Sequence, residues 1–394
     1  MKLIRDKNII NYSQKYSPNK DIQNKILNSL NFQLTSCQQR VLNEIENDQQ
    51  SPKQMLRMLQ GDVGSGKTII AFLSMLNVTQ HNRQACLMTP TDILSSQHYE
   101  NLQYIVNKAS LKINICLLTG KTNLKEKRLI NEKLKNSQID ILIGTHALFQ
   151  DKVLFGNLGY VIIDEQHRFG VEQRLELVKK ANNADILVMT ATPIPRSLNL
   201  TIYGDMDISK INQAPENRIP IITKKIPQSK RDEIILSLEK ILSLKQKIYW
   251  VCPLINQGDT ISDNTDIKLS DVMSSYELIA KQYPHKTAFI HGKMKNKDKE
   301  SIVDNFKNGQ IDILITTTVI EVGIDVAQAT LIVIDNAERY GLAQLHQLRG
   351  RVGRNNLQSY CILLYDNIKV TNIGKKRLNL LSTSNDGFYI AKML

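Results

Sequence analysis

Close cysteine pairs are missing from this sequence: Cys37, Cys86, Cys116, Cys252 and Cys361 stand far apart along 394 residues and form no C-x-x-C unit. That argues against a disulfide framework and for reduced, mostly buried thiols in a cytosolic chain. No uninterrupted apolar run is long enough to cross a bilayer, and the N-terminal MKLIRDKNIINYSQKYSPNK lacks the apolar core of a signal peptide. A membrane-spanning or exported chain is thereby excluded, and a cytoplasmic location is expected. No short-period internal repeat is evident. Acidic side chains are the scarcer charge, 38 against 51 Lys and Arg, for a net charge of +13. A surplus of that sign suits a polyanionic partner such as nucleic acid, although richness in Asn, Ile and Lys also fits drift on a solvated surface.

The chain is too long for one ordinary core, so two domains are expected. It is organised around LQGDVGSGKTII, residues 59–70, where an apolar strand end runs into a glycine-rich loop and a helix start. Gly61-Asp62-Val63-Gly64-Ser65-Gly66-Lys67-Thr68 fits G-x-x-x-x-G-K-[ST]. Successive backbone N–H groups in such a loop wrap a phosphate, and the helix N-terminus adds its positive end. Lys67 reaches the outer phosphates, and the Thr68 hydroxyl can ligand Mg²⁺. The expected ligand is a nucleoside triphosphate.

Apolar strands alternating with amphipathic helices follow, near 85–88, 113–118, 139–143, 160–163 and 186–189, and again near 248–251, 287–290, 313–316, 331–334 and 360–364. Alternation of this kind predicts an α/β chain with two parallel sheets, ligands gathering at the carboxyl ends of the strands. Polar groups cluster at those ends: Thr89-Pro90-Thr91, Thr119-Gly120, Gly144-Thr145, Asp164-Glu165 and Thr190-Ala191-Thr192. Between 208 and 222 the sequence turns rich in Pro and Asn and loses its period, which marks a linker. Upstream, Thr35 suits a helix N-cap, with Val41, Leu42 and Ile45 on one face. Gln38 near that start could read the edges of an adenine, or be a plain surface residue.

Asp164-Glu165 places two carboxylates where the metal and outer phosphate of the nucleotide would lie. Asp164 can hold Mg²⁺, and Glu165 can orient and deprotonate the attacking water. In the second half, Gln344 to Arg354, QLHQLRGRVGR, presents arginines at i, i+2 and i+5. The planar, permanently charged fork of Arg351 and Arg354 suits a phosphate in transition. Thr316 to Asp325, TTTVIEVGID, ends another strand with hydroxyls and carboxylates. Thr317 and Thr318 could hold a nucleic-acid phosphate, and Asp325 could contact the nucleotide ribose.

These segments, in this order, resemble the superfamily 2 helicases. The resemblance implies two tandem RecA-like P-loop domains, each a parallel sheet flanked by helices, with ATP between them. It makes Gln38 the adenine-reading glutamine, GDVGSGKT the Walker A loop, DEQH a DEAH-type Walker B box and TATPIPR motif III. His167, Thr190 and Thr192 then couple hydrolysis to motion. TTTVIEVGIDV is similar to motif V and QLHQLRGRVGR to motif VI, which adds Gln347 to Arg351 and Arg354 as catalytic residues. TPTDILSSQH, IGTHALFQ, WVCPLI and HGKMK narrow the resemblance to the RecG family of branch-migrating DNA translocases. The transcription-repair coupling factor Mfd is the nearest alternative; Gln166 in DEQH and the wording TVIEVGIDV favour RecG.

The resemblance implies ATP and Mg²⁺ as cofactors and branched or duplex DNA as partner, gripped without regard to sequence by Pro90, Thr91, Thr119, Gly120, Gly144, Thr145, Thr317 and Thr318. Rival expectations are a DNA-binding remnant without motor activity and an RNA helicase of DEAH type. The domains expected are a leader over 1–30, a nucleotide-binding domain over 31–212, a second domain over 213–368 and a shortened helical tail over 369–394. Against the family pattern, the N-terminal wedge domain and the C-terminal TRG segment are expected to be absent. Two expectations stay open: a split or decaying gene product whose motor once worked, or a part that needs a separately encoded polypeptide to supply them.

Overall fold

Alternating apolar and polar segments build two parallel sheets, one in each of two units, Met1–Glu216 and Asn217–Leu394. The computed structural model describes residues 15–149, 153–165, 183–191, 206–213, 219–253, 267–317, 326 and 328–393. In the first unit the described elements are α1 (Lys20–Ser29), α2 (Ser36–Gln50), β1 (Leu56–Gly61), α3 (Lys67–Thr79), β2 (Gln84–Met88) and α4 (Asp92–Lys108). They continue with β3 (Ile115–Leu118), α5 (Leu124–Lys135), β4 (Ile141–Gly144), β5 (Leu158–Asp164), β6 (Asp185–Thr190) and β7 (Asp207–Ile211). The strands lie in the order β3-β4-β2-β5-β6-β1-β7, every pairing parallel.

Both faces of this sheet are covered, and the pleat sorts its side chains with a period of two. Leu59, Ala85, Leu87, Ile141, Ile143, Tyr160, Ile162, Leu187 and Met189 enter one core. Their neighbours Met58, Cys86, Met88, Leu142, Val161, Ile163, Ile186 and Val188 enter the other. Because all of these are apolar, the strands read as continuous hydrophobic runs rather than alternating ones.

The second unit holds β8 (Ile222–Pro227), α6 (Arg231–Ser243), β9 (Lys247–Val251), α7 (Ile267–Gln282), β10 (Thr287–Ile290) and α8 (Asn296–Lys307). After them come β11 (Ile313–Thr316), β12 (Ala329–Ile334), α9 (Leu342–Arg349), β13 (Tyr360–Tyr365), α10 (Asn372–Thr383) and α11 (Gly387–Lys392). Its parallel sheet has the order β10-β11-β9-β12-β13-β8.

Three segments differ from the sequence expectation. The supposed linker contains β7 and the start of β8. Strand β7, DISKI, is a polar strand at the edge of the described sheet, paired among the described strands only with β1, and its buried Ser209 bonds Arg57 and Glu44 instead of filling an apolar core. The described part of the supposed leader is packed: Tyr16 and Ile26 are buried, and Lys20 and Gln23 reach Glu46 of α2 at 2.8 and 2.7 Å. Gln23 also donates to Asn77 of α3 at 3.0 Å, Asn77 to Gln49 at 2.9 Å, and Gln49 to the Ser74 carbonyl at 3.1 Å. The helical tail is likewise part of its unit, with Leu378, Leu381 and Ile390 buried and Arg377 donating to the Tyr340 carbonyl at 2.7 Å.

Candidate nucleotide and nucleic-acid site

Strands β5, β6 and β1 are neighbours, so their carboxyl ends bring Asp164-Glu165, Thr190-Ala191 and the loop from Gly61 to Thr68 side by side. Gly66 ends that loop as the N-cap of α3 in the left-handed region, φ +85°, where a Cβ would stand 2.3 Å from the Gln38 amide nitrogen. No side chain caps α3, which leaves its first-turn N–H groups for an anion. Lys67 Nζ donates to the Gly61 and Asp62 carbonyls at 2.7 and 3.0 Å, holding the ammonium over the loop. Asp62 Oδ1 accepts the Val63 N–H at 2.7 Å. Val63 and Ser65 are buried, Gly64 is exposed, and Thr68 is half-buried in the first turn of α3. The buried Ser65 Oγ has no hydrogen-bond partner among the described residues.

Gln38 does not project from α2 as expected. It is 2% exposed, and its carboxamide completes a capping box with Thr35: Oε1 accepts the Thr35 N–H at 2.8 Å, and Thr35 Oγ1 accepts the Gln38 N–H at 3.2 Å. Its Nε2 donates to the Ser65 carbonyl at 2.8 Å. The glutamine therefore braces the phosphate loop from beneath, with one N–H and one lone pair left over.

Asp164 closes β5 with 7% exposure and accepts a hydrogen bond from His98 Nε2 at 3.2 Å. The carboxylate oxygen accepts in this pair and the imidazole N–H donates. His98 was not singled out from the sequence: it lies 66 positions from Asp164, and only its place on the buried stripe of α4 hints at a role. Glu165 takes φ +50°, a left-handed conformation that a residue with a Cβ adopts only under constraint, and accepts the Ala191 N–H at 3.5 Å. Buried Thr190 lies next to that contact in the chain. The contact between the carboxylate strand and the Thr190 loop thus runs through Glu165. His167 and Thr192 lie outside the described residues, as do Thr318 and Asp325.

On the other side of β5 the strand ends carry the residues expected to grip a backbone. Thr91 is the N-cap of α4, accepting the Leu94 N–H at 3.4 Å, and Pro90 beside it is half-exposed. Gly120 is exposed, and a Cβ there would lie 3.9 Å from Asp92, which places the Thr119-Gly120 turn beside the start of α4. Thr119 itself is buried, its hydroxyl accepting the Lys121 N–H at 3.3 Å. Gly144 and Thr145 are buried too. A Cβ on Gly144 would stand 2.1 Å from the Leu118 carbonyl oxygen, so close strand packing accounts for that glycine.

In the second unit Thr317 is 1% exposed, with a buried Oγ1 that has no hydrogen-bond partner among the described residues. Gln347 is buried on α9, and Arg351 and Arg354 are half-buried beyond it, Arg354 Nε donating to the Gly350 carbonyl at 3.3 Å. The first arginine of the run is different: Arg349, 2% exposed, donates to the Leu381 and Ser384 carbonyls at 2.9 and 2.8 Å and contacts His346 at 2.9 Å. It fastens α9 to the end of α10 and is committed to packing.

Among the described residues no cluster of three or more His, Cys, Asp or Glu could by itself hold a metal, and no helix is long and apolar enough to cross a membrane. The donor set fits a nucleotide-bound cation, one hydroxyl and one carboxylate beside a phosphate loop, better than an all-protein metal cage. The DEAD/DEAH box helicase family model matches residues 35–201, and the helicase conserved C-terminal domain matches 246–356. The chain is 43% identical over 379 residues to the ATP-dependent DNA helicase RecG of Synechocystis, 96% of this chain and 44% of that protein. It is 43% identical over 369 residues to the RecG of Staphylococcus epidermidis, 93% of this chain and 53% of that one. A structure of RecG bound to a three-way DNA junction superposes with a TM-score of 0.81 at 40% identity, over 99% of this chain and 50% of that one. The chain spans about half the length of the relatives it matches.

Proposed function

From a chain that belongs to the RecG-type DEAD/DEAH-box helicases, we propose an ATP-driven DNA motor that remodels branched DNA such as forks and junctions in recombination and repair. The observation that carries it is the row of neighbouring strand ends β5, β6 and β1. These set the Asp164-Glu165 carboxylates beside Thr190-Ala191 and the Lys67 loop, with Glu165 and Ala191 in contact.

In this proposal the loop amides and Lys67 bind the phosphates of ATP, with Gln38 supporting the loop and its remaining polar groups turned to the base. Glu165 takes a proton from the attacking water, and Arg351 and Arg354 counter the charge of the transferring phosphate. Thr68 and Asp164 would hold Mg²⁺, which neutralises the phosphate oxygens when bound. His167, Thr190 and Thr192 would pass the state of that site to the DNA-gripping residues, among them Pro90, Thr91, Thr119, Gly120, Gly144, Thr145, Thr317 and Thr318, and Asp325 would contact the ribose. DNA would be bound through its backbone and without sequence preference, in keeping with the net charge of +13. The chain would work in the cytoplasm, with a separate polypeptide supplying a fork-reading wedge if its activity on forks requires one.

The test is the steady-state ATPase rate of the purified chain alone and with forked DNA, linear duplex and RNA at one stated salt concentration. Stimulation greatest with forked DNA is the expected result. Stimulation by RNA alone, or a flat rate near zero with every nucleic acid, would overturn the proposal.

A further inference from the structure

Helix α4 grips two things with one face. Ser95 and His98, three residues apart and both buried, lie on the stripe that continues through Leu102 and Val106. Ser95 Oγ lies 2.7 Å from Thr89 Oγ1 and donates to the Thr91 carbonyl at 3.2 Å, and Thr91 in turn caps the helix. One turn further on, His98 Nε2 donates to Asp164 Oδ2. The His98 and Asp164 side chains are only 8% and 11% exposed. The loop at the end of β2 and the carboxylate at the end of β5 are therefore joined by two buried side chains on a single rigid element.

We propose that His98 is a positioning residue: it sets the orientation of the Asp164 carboxylate toward the nucleotide-bound cation and links it to the Thr89–Thr91 loop. The inference rests on the nucleotide site proposed above and adds a residue to it. A carboxylate this buried keeps one oxygen for a cation only if its other demands are met by a fixed donor, and His98 meets one of them. Outer partners of this kind set the aim of a metal-binding group, and their removal typically costs about 10- to 100-fold in metal affinity. The same N–H, carried by a helix whose first turn is tied to Thr89 and Thr91, gives a displacement of that loop a direct route to the carboxylate.

The experiment compares the full chain with His98→Leu, which keeps the volume and removes the donor, and His98→Gln, whose amide restores an N–H at similar reach. Mn²⁺ binding is titrated by electron paramagnetic resonance in the presence of a non-hydrolysable ATP analogue. Binding of a fluorescent ATP is measured separately in EDTA. The expected result is Mn²⁺ affinity about 10-fold or more weaker in the Leu variant, recovery to within about threefold in the Gln variant, and unchanged nucleotide binding in EDTA for both. Wild-type Mn²⁺ affinity in a folded Leu variant overturns the inference and leaves the nucleotide site standing. Loss of nucleotide binding in EDTA alongside a lowered melting temperature would show a purely structural role and overturn it as well. If the unaltered chain binds neither nucleotide nor Mn²⁺, the nucleotide site itself is refuted, and the inference with it.

Discussion

Gln38 Nε2 donates to the Ser65 carbonyl oxygen at 2.8 Å while its Oε1 accepts the Thr35 N–H, so a single carboxamide fastens the start of α2 to the phosphate loop. Replacing it by Ala strips a donor from a buried carbonyl and half of a capping box, a cost of roughly 1–2 kcal/mol. Replacing it by Glu sets a carboxylate against that carbonyl. Fluorescent ADP titration should therefore rank the affinities as wild type, then Gln38→Ala, then Gln38→Glu. Equal affinities in all three would remove Gln38 from the site.

Lys67→Ala should lower ATP turnover by roughly 10²–10³-fold or more, the scale expected when a charged donor to a developing phosphate charge is lost. The side chain is half-buried, and its bonds to the Gly61 and Asp62 carbonyls lie within its own loop, so the melting temperature should stay close to that of the parent. Near-normal turnover would show that the loop does not cradle the reacting phosphates.

Arg354→Ala is expected to spare ATP binding and reduce hydrolysis by about 10³–10⁵-fold, as for an arginine that acts on the transition state. Its Nε contact to the Gly350 carbonyl is local, within one turn. Collapse of binding together with hydrolysis would instead mark a residue that holds the ground state. Arg349→Ala serves as the contrast: it breaks the links to Leu381 and Ser384 and should lower stability first.

Gly144→Ala should lower the urea midpoint, with a loss of roughly 1–3 kcal/mol from overpacking. The added methyl would meet the Leu118 carbonyl at 2.1 Å and Leu148 at 2.9 Å, and the first of these is backbone. An unchanged midpoint would mean that β3 can move away from β4 at no cost.

Thiol chemistry follows burial. Burial pushes the Cys86 and Cys361 thiols up to about 12, and it also raises the half-buried Cys116. For Cys86 and Cys361 the folded value lies above the unfolded one, near 9.0. Their contribution to stability is therefore complete below about pH 9 and declines as pH climbs from there toward 12. At pH 8 an aromatic disulfide reagent should leave Cys86 and Cys361 unmodified until denaturant is added. Rapid modification of either in the native chain would contradict their placement.

The strand-end placement of the Gly61–Thr68 loop and of the Asp164-Glu165 pair, and ten of the strands, were legible because each depends on local information: a glycine spacing, a strand end, a continuous apolar run. What escaped depends on partners distant in the chain. Strand β7 is held by Arg57 and Glu44 meeting Ser209, which no window around residue 209 reveals. Gln38 looked like an outward reader because its spacing from Thr35 fits a helix start, yet the same spacing makes the capping box that turns it inward. His98 closes the segment TPTDILSSQH and lies on the buried stripe of α4, but its link to Asp164 comes from a carboxylate brought to it by the sheet order β2-β5, which the sequence does not show.

The buried chain of amides from Gln23 through Asn77 and Gln49 to the Ser74 carbonyl also bears on where the first unit can be cut. The helicase family match starts at residue 35, but a chain begun there would leave Glu46, 4% exposed, without Lys20 and Gln23, and Asn77 without its donor. In the full chain, backbone amides in α1 and in helix α3 should exchange with solvent as one cooperative block. A first unit that keeps Lys20 and Gln23 should accordingly be more stable than one begun at residue 35, a border set by hydrogen-bond saturation rather than by motif.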